Sequence, residues 1–126
     1  YLLPGKCGYV PKTEVKVAQA AQLIRQAGGV AVLAHPMELK MGEMALESLV
    51  HEWHGQGLAG IEVYHPSAAN NSLPFLKNLA QREGMLITGG SDFHGVQVRQ
   101  SQIGEQLERW TTMEQDIQKL LRRIDR

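Results

Sequence analysis

Apolar positions along this chain fall into two alternating periods. Val17, Ala20, Ala21, Ile24 and Ala27 recur at helical spacing, and Gly28-Gly29 ends that run. Thr13 is the expected cap, with Glu14 in the first turn. Val30 to Ala34 is continuously apolar, as expected of a strand covered on both faces, and His35-Pro36 stops it. A loop over Met37–Gly42 leads to a helix from about Glu43 to His54, with Leu46, Leu49, Val50 and Trp53 on one face. Ile61 to Tyr64 reads as a second strand, ending in His65-Pro66. Asn70, Asn71 and Ser72 are candidate caps for a third helix carrying Leu73, Leu76, Leu79 and Ala80, with Pro74 tolerated in its first turn. Met85 to Thr88 is the third strand, bounded by Gly84 and Gly89-Gly90. Thr111 with Glu114 resembles a capping box for a last helix with Ile117, Leu120, Leu121 and Ile124 on its inward face. Its basic end (Arg122, Arg123, Arg126) suits the helix dipole.

Two stretches carry less pattern. Tyr1–Lys12 holds two prolines and two glycines without a period and is expected to be an irregular arm. Val96–Trp110 resists assignment, with Ile103-Gly104 the only hint of a short edge element. The rest is helix–strand repeated three times, with units spaced roughly 25 to 31 residues apart, which suits parallel strands joined by crossover helices. The expected class is α/β, with about three parallel strands, flanking helices and a C-terminal helix.

Composition narrows the possible functions. The chain has 126 residues and zero formal net charge, so it offers no general attraction to nucleic acid or to an anionic membrane. No apolar run is long enough to span a bilayer. Cys7 is the sole cysteine, which excludes an intrachain disulfide and makes cytoplasmic residence the expectation. The chain opens at Tyr1 in loop-like sequence, as a piece of something longer would.

Each strand delivers a histidine at its C-terminal end: His35, His65 and His94. Parallel strands bring those ends to one edge, where sites form in such folds. In Ser91-Asp92-Phe93-His94, extended backbone would point Asp92 and His94 the same way. A carboxylate and imidazoles converging there make ligands for a borderline metal such as Zn, Mn or Fe. Taken alone, Asp92 reads equally well as a cap and His94 as a turn residue; the three-strand convergence favours the metal. Pro36 should keep His35 extended. His65 could ligate or contact substrate. Glu62 needs a partner within its apolar strand, although strict alternation from His65 points it the other way. His51 and His54, in His-Glu-Trp-His, fall one residue short of H-E-x-x-H and off the apolar face, so a solvated face accounts for them. No nucleotide-binding glycine frame and no G-x-S-x-G elbow occurs.

The segments A-G-G-V-A-V-L-A-H-P, G-L-A-G-I-E-V-Y-H-P-S and G-M-L-I-T-G-G-S-D-F-H-G resemble the C-terminal half of the PHP (polymerase and histidinol phosphatase) family, nearest its stand-alone metal-dependent phosphoesterases. The resemblance implies the C-terminal portion of a distorted (β/α)7 barrel with up to three divalent metals. It implies hydrolysis of phosphate esters of nucleotides or short oligonucleotides, with metal-bound hydroxide as nucleophile. By it, His35, Asp92 and His94 are metal ligands and His65 matches a position at the substrate rim; Glu62 is a further candidate substrate contact on its own reading. The family's N-terminal H-x-H pair has no counterpart in residues 1–126. The chain therefore reads as a C-terminal fragment of a single PHP domain, weak in metal binding and catalysis by itself, that needs the N-terminal half or a second copy to cover it. A non-catalytic PHP-like module and a metal-dependent amidohydrolase are the alternatives.

Overall fold

The computed structural model describes residues 3–11, 14–68, 71–95 and 102–124. The elements run α1 (Val17–Gln26), β1 (Val32–Leu33), a 3-10 turn (Pro36–Leu39), α2 (Glu43–Gly55), β2 (Gly60–Tyr64), α3 (Ser72–Arg82), β3 (Leu86–Gly89), a second 3-10 turn (Leu107–Arg109) and α4 (Met113–Ile124). The strands lie in the order β1-β2-β3, and both pairings are parallel. Parallel neighbours need long crossovers, which α2 and α3 supply. The α/β reading and the three helix–strand units therefore hold.

The core forms where the helices meet the sheet. Leu46 and Val50 of α2 and Leu76, Leu79 and Ala80 of α3 are buried with Ile61, Val63, Tyr64, Met85 and Ile87. Within the sheet, Gly60 lets its neighbours close in: a Cβ there would sit 3.1 Å from both Leu86 Cβ and Val32 Cγ2. The strands thus approach across a bare backbone at β2.

One irregularity matters for the site. Glu62 pairs with Thr88, but Tyr64 pairs with Gly89, so a bulge interrupts the register between them. A bulge adds a residue to one strand and resets its alternation. Strict alternation would separate Glu62 from His65; across the bulge, both reach His35.

Several expectations are corrected. α1 starts after Lys16, whose main-chain N–H donates to the Gln19 side chain at 3.4 Å; Thr13, the expected cap, lies outside the described residues. Asn71 occupies the cap position of α3 without a side-chain cap bond, and Asn70 lies outside the described residues. Ile103-Gly104 forms a turn and no strand, and Ile103 is 80% exposed. The expected assignments to residues 96–101 and to Arg126 also lie outside the described residues.

The inward face of α4 differs most. Asp116 is buried, while Ile117, Leu121 and Ile124 stay exposed. The Asp116 carboxylate accepts Trp110 Nε1–H at 2.8 Å and the Thr112 hydroxyl at 2.6 Å, with Lys119 Nζ at 3.4 Å. These donors satisfy a buried charge that apolar periodicity would place outside. Trp110 itself stacks on Tyr64, with centroids 5.4 Å apart, and so ties α4 to β2. Among the described residues, no helix is long and apolar enough to cross a membrane.

Candidate metal centre

At the C-terminal ends of the three strands His35 lies beside His65, and His65 and His94 each lie against Asp92, by unexpected backbone routes. His35 has φ 33° and ψ 59°, in the left-handed region and not extended. Its N–H donates to Glu62 Oε2 at 2.7 Å. That bond to a carboxylate from the neighbouring strand offsets the cost of a conformation that non-glycine residues seldom adopt.

Pro36 then opens the 3-10 turn, and the His35 carbonyl accepts Glu38 N–H at 2.9 Å. In such a turn residues i and i+3 eclipse, so Glu38 comes over His35: Glu38 Oε2 lies 3.7 Å from His35 Nδ1. Sequence reasoning missed Glu38. The available signal was its offset of three from a histidine followed by proline, where a single helical turn begins.

Asp92 also has positive φ, at 48°, which replaces the extended Asp-x-His geometry. The two side chains still meet, because the turn folds His94 back: His94 Nδ1 lies 2.7 Å from the Asp92 carbonyl oxygen and 3.5 Å from its Oδ1. A carbonyl only accepts, so in the neutral ring Nδ1 carries the proton and Nε2 keeps its lone pair. Metal-binding histidines commonly have this arrangement, with the far nitrogen donating to a carbonyl and the near one left for the cation.

His65 is 1% exposed, and its Nε2 lies 3.5 Å from Asp92 Oδ2. Its ring centroid is 5.5 Å from that of His35. Ligand atoms of Glu38, His65 and Asp92 fall within 4.8 Å of one another, a span one cation can bridge. Carboxylates, imidazoles and one histidine with a free lone pair fit a divalent metal of borderline softness. His51 and His54 lie apart from this group: His51 Nδ1 pairs with Glu83 Oε2 at 2.9 Å, and His54 Nδ1 lies 2.8 Å from the Leu58 carbonyl oxygen.

No family model matches the chain. It is 38% identical over 94 residues to a 3',5'-nucleoside bisphosphate phosphatase of Chromobacterium violaceum, covering 75% of this chain and 33% of that protein. It is 37% identical over 97 residues to the 5'-3' exoribonuclease Rnm of Escherichia coli, covering 75% and 32%. A crystal structure assigned as a metal-dependent phosphoesterase from Bifidobacterium adolescentis matches with TM-score 0.71 and 25% identity, over 96% of this chain and 41% of that one. The chain spans about a third of the length of the curated relatives it matches. By sequence and fold together, the chain is homologous to one part of these phosphate-ester hydrolases and fits a fragment of a PHP-type phosphoesterase.

Proposed function

We propose that this chain supplies part of the metal site of a phosphoesterase that hydrolyses phosphate esters of nucleotides or short oligonucleotides. The observation that carries the reading is the Asp92–His94 turn. It sets an imidazole beside a carboxylate at the end of a buried parallel strand, with Nδ1 turned to the Asp92 carbonyl so that Nε2 is the nitrogen left for a cation. In this proposal His35, Asp92 and His94 are metal ligands for Zn, Mn or Fe. Glu38 joins them at the rim, and Glu62 holds His35. A divalent cation held there would lower the pKa of a coordinated water and offset charge on phosphoryl oxygens. The side chains would orient the cation, with buried His65 behind Asp92.

The remaining ligands of a several-metal site are assigned to a segment outside residues 1–126, which makes this chain the C-terminal part of one PHP domain. The exposed apolar positions of α4 support such a covering segment or a second copy of the chain. Cytoplasmic residence remains part of the proposal, on the ground of the single, exposed Cys7.

The test is a chimaera in which this chain replaces the matching third of the Chromobacterium violaceum phosphatase, with folding checked by circular dichroism. Metal-dependent hydrolysis of phosphate esters, abolished by Asp92→Asn, is the expected result. A folded, metal-loaded chimaera that cleaves amides and leaves phosphate esters intact would establish the amidohydrolase alternative. One without any activity would favour the non-catalytic module.

A further inference from the structure

We propose that His65 is a positioning residue for Asp92, donating Nε2–H toward its carboxylate and not ligating a metal, and that Ser67 decides which nitrogen carries the proton. This inference rests on the reading of Asp92 as a ligand.

The other ring nitrogen fixes the tautomer. Ser67 N–H donates to His65 Nδ1 at 3.0 Å, and Ser67 Oγ lies 2.7 Å from the same atom. A hydroxyl can rotate to donate or accept, but a backbone N–H has one direction. Nδ1 therefore presents a lone pair, and the proton of the neutral ring sits on Nε2. Metal ligation through Nε2 would require the opposite tautomer and would set an Nδ1–H against the Ser67 N–H.

Nε2 is buried and has no hydrogen-bond partner among the described residues, and Asp92 Oδ2 lies 3.5 Å away. A buried N–H left unpaired is costly, so a closure of about half an ångström is favoured once a cation draws Asp92 into place. His94 shows the reverse tautomer, with Nδ1 donating to a carbonyl. Two histidines that flank one carboxylate thus have opposite roles: His94 offers a lone pair, and His65 offers a proton to the carboxylate. Ligating carboxylates are commonly held by such an outer donor. The close grouping of Glu38, His65 and Asp92 then reflects one member steadying another, not three ligands.

Two measurements test this on the 126-residue chain. Long-range proton–nitrogen NMR of the metal-free chain, at a pH where its imidazoles are neutral, should show Nε2–H at His65 and Nδ1–H at His94. An Nδ1–H tautomer at His65 overturns the proposal. Titration with Zn²⁺ should then show that His65→Ala weakens affinity about 10- to 100-fold without changing stoichiometry. His65→Gln, whose amide N–H reaches the position of Nε2, should restore most of the affinity. Loss of a metal equivalent in both variants would make His65 a ligand, and unchanged affinity in His65→Ala would leave it no role toward Asp92; either result overturns the proposal. If the unaltered chain binds no Zn²⁺, the reading of Asp92 as a ligand fails, and with it the positioning role. The NMR result still decides the tautomer.

Discussion

Glu62 Oε2 accepts the main-chain N–H of His35 at 2.7 Å, across 27 residues of sequence and from one strand to the loop after its neighbour. A single carboxylate thereby fixes a left-handed histidine at the mouth of the candidate site. Hydrogen bonds to charged groups contribute about 1.5–3 kcal/mol. Glu62→Ala should lower unfolding stability by about that amount, and Glu62→Gln, which keeps an acceptor, by less. Urea unfolding measures both, and an alanine variant as stable as the parent would show that His35 holds its conformation unaided.

Gly89 and Gly55 should respond oppositely to alanine. A Cβ at Gly89 would lie 2.6 Å from Tyr64 Cβ, 3.0 Å from the Tyr64 carbonyl oxygen and 3.2 Å from Trp110 Cε3. Overpacking of this kind costs about 1–3 kcal/mol. Gly55 ends α2 with nothing within 4 Å of such a Cβ, so alanine there should be neutral or stabilise by up to about 1 kcal/mol. Thermal unfolding of the pair decides it, and equal effects would count against the tight Tyr64–Gly89–Trp110 packing.

Asp116 anchors α4 through donors that have no other close acceptor among the contacts described. Asp116→Ala strands the Trp110 N–H and the Thr112 hydroxyl and should cost about 1–3 kcal/mol. Its near-ultraviolet circular dichroism should change with it, because Trp110 stacks on Tyr64. A variant with parental stability and spectrum would mean that α4 docks by its apolar contacts alone.

Much of this architecture was legible in the sequence because its signals are local. Glycine-bounded apolar runs mark the three strands, and His-Pro and Ser-Asp-x-His mark where chemistry leaves them. What local pattern could not convey is how those residues converge. The extended geometry expected of His35 and Asp92 gives way to left-handed turns, and the His35 turn is held by a carboxylate on another strand. The bulge after Glu62 undoes the alternation that had set Glu62 apart from His65. Glu38 enters through a 3-10 turn too short to show a period, and Asp116 is buried because its donors satisfy it, which no hydrophobic pattern records. Local periodicity finds elements; bulges, positive-φ turns and long-range hydrogen bonds set the site.

The central claim is that Asp92 and His94 hold a divalent metal at the end of β3. Calorimetric titration of the chain with Zn²⁺ or Mn²⁺, beside an Asp92→Asn/His94→Ala double variant of matched fold, tests it most directly. Saturable binding is expected in the parent chain, and none at the same concentrations in the variant. Identical isotherms for the two proteins would contradict it.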